Sequence, residues 1–138
     1  MAGLAKEKTL NLQLILAVAF GGALGSVTRY LVGIGSGKLF GINFPWGTLI
    51  INITGSFLIG LFVGMFATRW NLPQAVRVFL TVGVCGGYTT FSTFSLDAFY
   101  LMERGEAVAA GVYMVGSVAL SVGALIGAML LVRTLQAT

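Results

Sequence analysis

Between Leu12 and Val132 the chain carries one apolar stretch after another, each of bilayer length, separated only by short polar turns. A helix rising 1.5 Å per residue needs about 20 residues to cross a hydrocarbon core of roughly 30 Å, so four crossings use about 80 residues. A chain of 138 residues holds four such helices and little else. Only 9% of the residues are charged and 57% are apolar, whereas a soluble domain carries about 25% charge to cover its surface. That composition excludes an ordinary water-soluble enzyme and a disordered chain, and a single cysteine excludes a disulfide scaffold. The fold class expected is an all-α membrane protein of one transmembrane domain, with four transmembrane helices.

The first helix is expected over about residues 12 to 34. Ala17-Val18-Ala19 resembles a signal-peptide cleavage site, but the apolar run continues far past it, which favours a retained helix. The second is expected from 46 to 68, after Pro45 at a helix start and before the turn Asn71-Leu72-Pro73. The third covers about 74 to 101 and is interrupted at 86 to 90, where Gly86-Gly87-Tyr88-Thr89-Thr90 begins a run of glycine, hydroxyl and β-branched residues that makes poor helix. Two half-helices lining a cavity are one reading of that run, since backbone groups freed at membrane depth must face protein or water. An unbroken helix packed through its small residues is the other. The fourth helix is expected over 107 to 132, and Gly33-Ile34-Gly35-Ser36-Gly37, with no strand before it, is discounted as a nucleotide loop.

The net charge of +4 is spread over eight basic residues that flank the apolar segments, which is no nucleic-acid patch. Lys6, Lys8, Arg69, Arg77 and Arg133 fall on one side of the four-helix layout and Arg29, Lys38 and Arg104 on the other. So slight an excess barely selects an orientation. With no histidine and one cysteine, Cys85, the common transition-metal sites lack ligands.

Polar residues recur at helical spacing inside the spans. Thr48, Asn52 and Ser56 stand at i, i+4, i+8 on the second helix, and Tyr113, Ser117 and Ser121 repeat the arrangement on the fourth. Such stripes turn inward, either to bond a neighbouring helix or to present donors to an anion, and the Asn52 amide suits both. Phe91 and Phe94, three apart, share a face if a half-helix starts near Thr90. A core pair is the plain reading, and the electropositive ring edge offers contact to an anion without a trapping charge. Asp97 is the one carboxylate inside a span, functional by default unless it reaches the interface. Gly21 and Gly25, Ser56, Gly60 and Gly64, and Gly116, Gly123 and Gly127 are small-residue patterns for close helix packing.

The run Gly86-Gly87-Tyr88-Thr89-Thr90-Phe91-Ser92-Thr93-Phe94-Ser95, with Pro45-Trp46-Gly47-Thr48-Leu49-Ile50-Ile51-Asn52 upstream, resembles the Fluc/CrcB fluoride channels over the whole four-helix layout. The resemblance implies an antiparallel dual-topology homodimer in the inner (plasma) membrane, its partner a second copy of the chain. It implies two fluoride pathways per dimer, a central structural sodium ion, and passive export of cytoplasmic fluoride. Carried over by position, Asn52, Phe91 and Phe94 contact fluoride, and Thr48, Tyr113, Ser117 and Ser121 line the polar track. Gly86 and Thr89 supply sodium-binding carbonyls, and Arg29 resembles the basic residue near the aqueous vestibule. Asp97 lies where many members have glutamate, one methylene longer, and Tyr88 is bulkier than the leucine often found there.

Three other classes stand against a channel. A small dual-topology proton-coupled exporter needs an exchanging acid at a central position, and the first helix has none. A structural membrane subunit explains the glycines and leaves the hydroxyl tracks without purpose. An enzyme lacks a nucleophile-base pair.

Overall fold

The computed structural model describes residues 11 to 68 and 70 to 137, all helices and turns. Three of the basic residues weighed for orientation, Lys6, Lys8 and Arg69, lie outside the described residues. Helix α1 (Leu12–Phe40) starts where the Asn11 side chain accepts from the Gln13 amide at 2.9 Å, satisfying one of the orphan donors of a first turn. It continues past residue 34, through the glycines at 33, 35 and 37, and stops at Gly41, whose φ of 80° only glycine adopts readily. Helix α2 (Trp46–Thr68) begins directly after Pro45, whose carbonyl accepts from the Leu49 amide.

The third segment is broken. Its first half comprises α3 (Gln74–Val78), a π-helical stretch Phe79–Cys85, and α4 (Gly86–Tyr88), which follow one another in helical backbone. Thr89 and Thr90 are extended, with ψ of 158° and 122°, and α5 (Phe91–Glu103) starts afresh. The interruption therefore sits on the two threonines, while Gly86 and Gly87 are helical. Thr90 caps α5 in the ordinary way, its hydroxyl accepting from the Thr93 amide at 3.2 Å. Helix α5 closes in a Schellman turn, Glu106 N–H to Leu101 O and Gly105 N–H to Met102 O, with Gly105 at φ 78°. Helix α6 (Ala107–Gln136) completes the chain.

Length and apolarity qualify α1, α2 and α6 as membrane spans, with the broken helix between α2 and α6. The ends of the broken segment are pinned at opposite ends of α2. Arg77 donates to the Phe66 carbonyl at 3.2 Å and lies over its ring, while Arg104 donates to the Asn43 carbonyl at 2.6 Å, beside the turn that opens α2.

Lipid tails offer helices no hydrophobic gain for pairing, so contact depends on close backbone approach. A Cβ at Gly21 would meet the Phe79 carbonyl at 2.6 Å, and one at Gly87 the Gly22 carbonyl at 2.6 Å, so α1 rests on the π-helical stretch and α4 through glycine. Gly60 does the same for α2 against the Leu125 carbonyl at 2.6 Å. The small-residue patterns of α1 and α2 are thus contacts within the chain. Those of α6 are not: Gly116, Gly123 and Gly127 have nothing within 4 Å of where a Cβ would stand. The buried core is small, Ala98, Leu101, Ala110 and Tyr113 ringed by Phe44, Leu49 and Phe94, and large apolar side chains cover the outside.

Candidate functional site

Two clefts meet at the break. The outer one, about 910 Å³, lies at the end marked by the 41–45 turn, and is lined by Arg29, Lys38, Thr48, Thr93, Asp97 and Arg104 among others. The inner one, about 530 Å³, is lined by Asn52, Ser56, Gly86, Thr89, Phe91, Phe94, Ser117 and Ser121, and bears no formally charged side chain. Thr90 lines both, so the broken backbone is the wall between them.

Asn52 carries that wall. Its Oδ1 accepts from the Thr90 amide at 2.8 Å and its Nδ2 donates to the Thr90 carbonyl at 3.0 Å. The side chain thus replaces, for one residue, the two bonds that a helix would have made. An amide has two N–H groups, so one donor of Asn52 remains for the cleft it lines. The α1 face supports the same stretch: Ser26 donates to the Gly87 carbonyl at 3.4 Å and Arg29 to the Thr89 carbonyl at 3.3 Å. Arg29 is therefore both an outer-cleft cation and a cap for the first half-helix.

Several hydroxyls in the spans are satisfied by their own helix. Thr28, Thr54, Thr68, Thr81 and Ser95 each bond the carbonyl four residues back, at 2.7 to 3.0 Å. Ser117 and Ser121 are not, and their buried oxygens have no hydrogen-bond partner among the described residues. Both line the inner cleft, as do the Phe91 and Phe94 rings, whose centroids are 5.4 Å apart and tilted at 44°. Phe94 also packs on Tyr113 at 5.2 Å, while Phe91 is 77% exposed.

Tyr113 is buried against Phe94, and Thr48 lines the outer cleft. The Tyr113 hydroxyl donates to an Asp97 carboxylate oxygen at 3.1 Å, and Thr48 is buried beside the same cleft. The two stripes therefore divide: Thr48 lines the outer cleft with Asp97, Tyr113 is buried and bonds Asp97, and Asn52, Ser56, Ser117 and Ser121 line the inner cleft with the phenylalanine pair. Arg29 lines the outer cleft and reaches the break only through the Thr89 carbonyl.

Sequence reasoning missed four contacts: Ser26 and Arg29 on carbonyls of the break, the grip of Asn52 on Thr90, and a hydroxyl pair between Thr54 and Tyr88 at 2.9 Å. Thr90 and Thr93, three apart before an apolar run, were a legible helix start.

A metal held by acidic or sulfur side chains has no support among the described residues, which include no group of three candidate ligands. Backbone oxygens are another matter. In an unbroken helix the Thr90 amide would bond the Gly86 carbonyl, but here it bonds Asn52, so Gly86 loses its usual donor. The Thr89 carbonyl holds Arg29 on one lone pair and keeps a second. Carbonyl oxygens of this kind are the ligands a hard cation takes, and two from one chain leave the rest of its shell to come from elsewhere.

The family described as "CrcB-like protein, Camphor Resistance (CrcB)" matches residues 16 to 129. The chain is 75% identical over 121 residues to "Fluoride-specific ion channel FluC 1" of Nitrobacter hamburgensis, covering 88% of this chain and 96% of that protein. It is 71% identical to "Fluoride-specific ion channel FluC" of Nitrobacter winogradskyi, with the same coverage of both chains. The protein of that name from Rhodospirillum centenum is 50% identical over 123 residues, 89% of this chain and 98% of its own. A match of this extent, on a multi-pass membrane protein whose matched region contains the broken helix and both clefts, shows that the chain belongs to the CrcB-like family.

Proposed function

We propose that this chain forms a passive, fluoride-selective ion channel that lets cytoplasmic fluoride leave the cell. The observation that carries the reading is the inner cleft: hydroxyls of Ser117 and Ser121 with no partner, an Asn52 amide and two phenylalanine rings, with no charge among its lining residues. Fluoride is small and strongly hydrated, so a path through lipid must replace its water with donors. A fixed cation would hold it too long, and conduction needs release as much as binding. In the outer cleft Arg29, Lys38 and Arg104, set against Asp97 and the Glu106 carboxylate 3.1 Å from Arg104, leave a slight positive excess one step earlier, which draws anions without trapping them in the narrow part. The names of the relatives, all fluoride-specific channels, support the same reading.

The finer arrangement follows. The broken helix makes a fourth crossing, since Arg77 and Arg104 pin its ends at opposite ends of α2. Phe91 is 77% exposed and the inner cleft is open along one side, which a second copy inserted in the opposite orientation closes. That antiparallel homodimer has two equivalent fluoride pathways. Gly86 and Thr89 of each copy place four carbonyl oxygens near the axis for a structural sodium ion, which when bound supplies a fixed positive charge between the protomers. The chain's own contribution is to hold those oxygens out of helical bonding, through Asn52 and Arg29.

Reconstitution of the purified protein in liposomes tests the function. Fluoride is expected to run down its gradient without ATP, carrying current, and chloride is expected to stay inside. Efflux that depended strictly on an imposed pH difference at clamped potential would replace the channel by a proton-coupled exporter. No acid lines the inner cleft for such coupling, and Asp97 belongs to the outer one.

A further inference from the structure

We infer that the Tyr88 hydroxyl is a positioning group for the break, docking residues 88 to 90 onto α2 so that the pathway wall keeps its extended shape; this rests on the channel reading. Tyr88 is the last residue of the first half-helix and is 9% exposed, whereas Tyr30 and Tyr100 are 69% and 51% exposed. Its oxygen lies 2.9 Å from Thr54 Oγ1. Thr54 spends its own proton on the Ile50 carbonyl at 2.7 Å, so the proton between the two hydroxyls comes from Tyr88. A buried phenol without an acceptor loses the water it gave up, so the pair fixes the ring's direction.

The neighbours make this a dock. One turn of α2 touches three successive residues of the break: Asn52 holds Thr90 through both backbone groups, Thr54 holds Tyr88, and Gly55 lies beneath both Tyr88 and Thr89. A Cβ on Gly55 would stand 3.0 Å from Tyr88 Cδ1 and closer still to the Thr89 methyl, so the surface there is flat by necessity. Extended residues inside a membrane have no helical bonds to hold them, and the direction in which the chain leaves α4 is set at Tyr88. With that direction fixed, Thr89 faces the inner cleft and Thr90 divides the two.

Four variants of the full chain test the assignment: Tyr88→Phe, Thr54→Val, Thr54→Ser and the Tyr88→Phe/Thr54→Val double. Fluoride efflux from liposomes and backbone amide exchange are read on each. Tyr88→Phe and Thr54→Val are each expected to lower efflux about fivefold, the weight of one buried neutral hydrogen bond. The double variant is expected to lose no more than either single, and Thr54→Ser to conduct like the parent. Amide exchange should rise over residues 86 to 91 and stay unchanged in α6. Parental efflux from Tyr88→Phe, losses that multiply in the double variant, or exchange that rises along the whole chain would each overturn the docking role. A parent that released no fluoride would sink the channel reading alone, and the exchange measurement would still decide the dock.

Discussion

Ser117 and Ser121 separate stability from function more cleanly than any other side chains in the site. A buried hydroxyl with no partner costs stability, so replacing it by alanine removes an unsatisfied group at little loss. Ser117→Ala and Ser121→Ala are therefore expected to unfold at the parent's temperature or slightly above it, and to conduct fluoride more slowly. Equal flux and higher stability in both would make the hydroxyls accidents of packing. The two phenylalanines divide differently. Phe94 packs on the buried Tyr113, while Phe91 meets only Phe94 among the ring pairs. Isoleucine at either position keeps apolar bulk and removes the electropositive edge, so both variants should lose flux. Both break the Phe91–Phe94 pair, but Phe94→Ile also breaks the pair with buried Tyr113 and should lose about 1 kcal/mol more stability than Phe91→Ile. Thermal unfolding in detergent beside liposome efflux distinguishes the two. Asn52 is the residue that sequence placed best and explained least. Its position in a polar stripe was plain from i+4 spacing, but its grip on Thr90 joins residues 38 apart in the chain, which no local pattern encodes.

At the scale of elements, the break illustrates how propensity and tertiary contact divide the work. Gly86 and Gly87 mark the region as poor helix, yet both are helical, and the interruption falls on the threonines, where Asn52 supplies Thr90 with the two bonds the helix would have made. Glycine there serves close approach instead, Gly87 against Gly22 and Gly25 against the carbonyl of Val84. Gly86→Ala and Gly55→Ala should consequently behave as opposites within one chain. A Cβ on Gly86 meets nothing nearer than the Thr81 carbonyl at 3.7 Å, and alanine in a helix gains about 1 kcal/mol over glycine. The protomer should be as stable as before or up to about 1 kcal/mol more so. If the Gly86 carbonyls face a second copy across an axis, however, the same methyl occupies the approach, and dimer and flux should fall together. Gly55→Ala drives a Cβ into the Thr89 methyl and should lower stability and flux in a single chain. Crosslinking in detergent, paired with unfolding, reads both. The helices themselves were legible because hydrophobic length needs no partner to interpret. The end of α1 was not, since the glycines at 33, 35 and 37 look like a loop until α2 is seen packed so closely there that a Cβ on Gly47 would stand 3.3 Å from Gly33 Cα.

The whole molecule leaves two sides of α6 unexplained by its own contacts. Gly116, Gly123 and Gly127 form a stripe with open space on one side, unlike Gly21, Gly25, Gly60 and Gly64, and Ser117, Val118, Ser121 and Val122 line the inner cleft on the opposite side, where Phe91 is exposed. The cleft side is the one a second copy closes in the proposed dimer; the orientation of the copy is the sharper question. Opposite insertion requires a chain with little preference for either direction, and the basic residues, five against three, provide nearly that balance. The fold supplies markers for its two ends, because Arg104 on Asn43 joins the α5–α6 turn to the α1–α2 turn while α6 ends at the far side. Single cysteines at Gly105 and Ala137 therefore report opposite faces of the membrane. Cys85 is 2% exposed and contributes little background labelling, and a variant with Cys85 replaced removes even that. In intact cells, a membrane-impermeant thiol reagent is expected to modify about half of each population, the share that equal insertion in both directions exposes. Complete labelling at one position with none at the other would mean a single orientation, and the antiparallel dimer would have to give way to a parallel one whose two Gly86–Thr89 carbonyl pairs lie on the same side of the membrane.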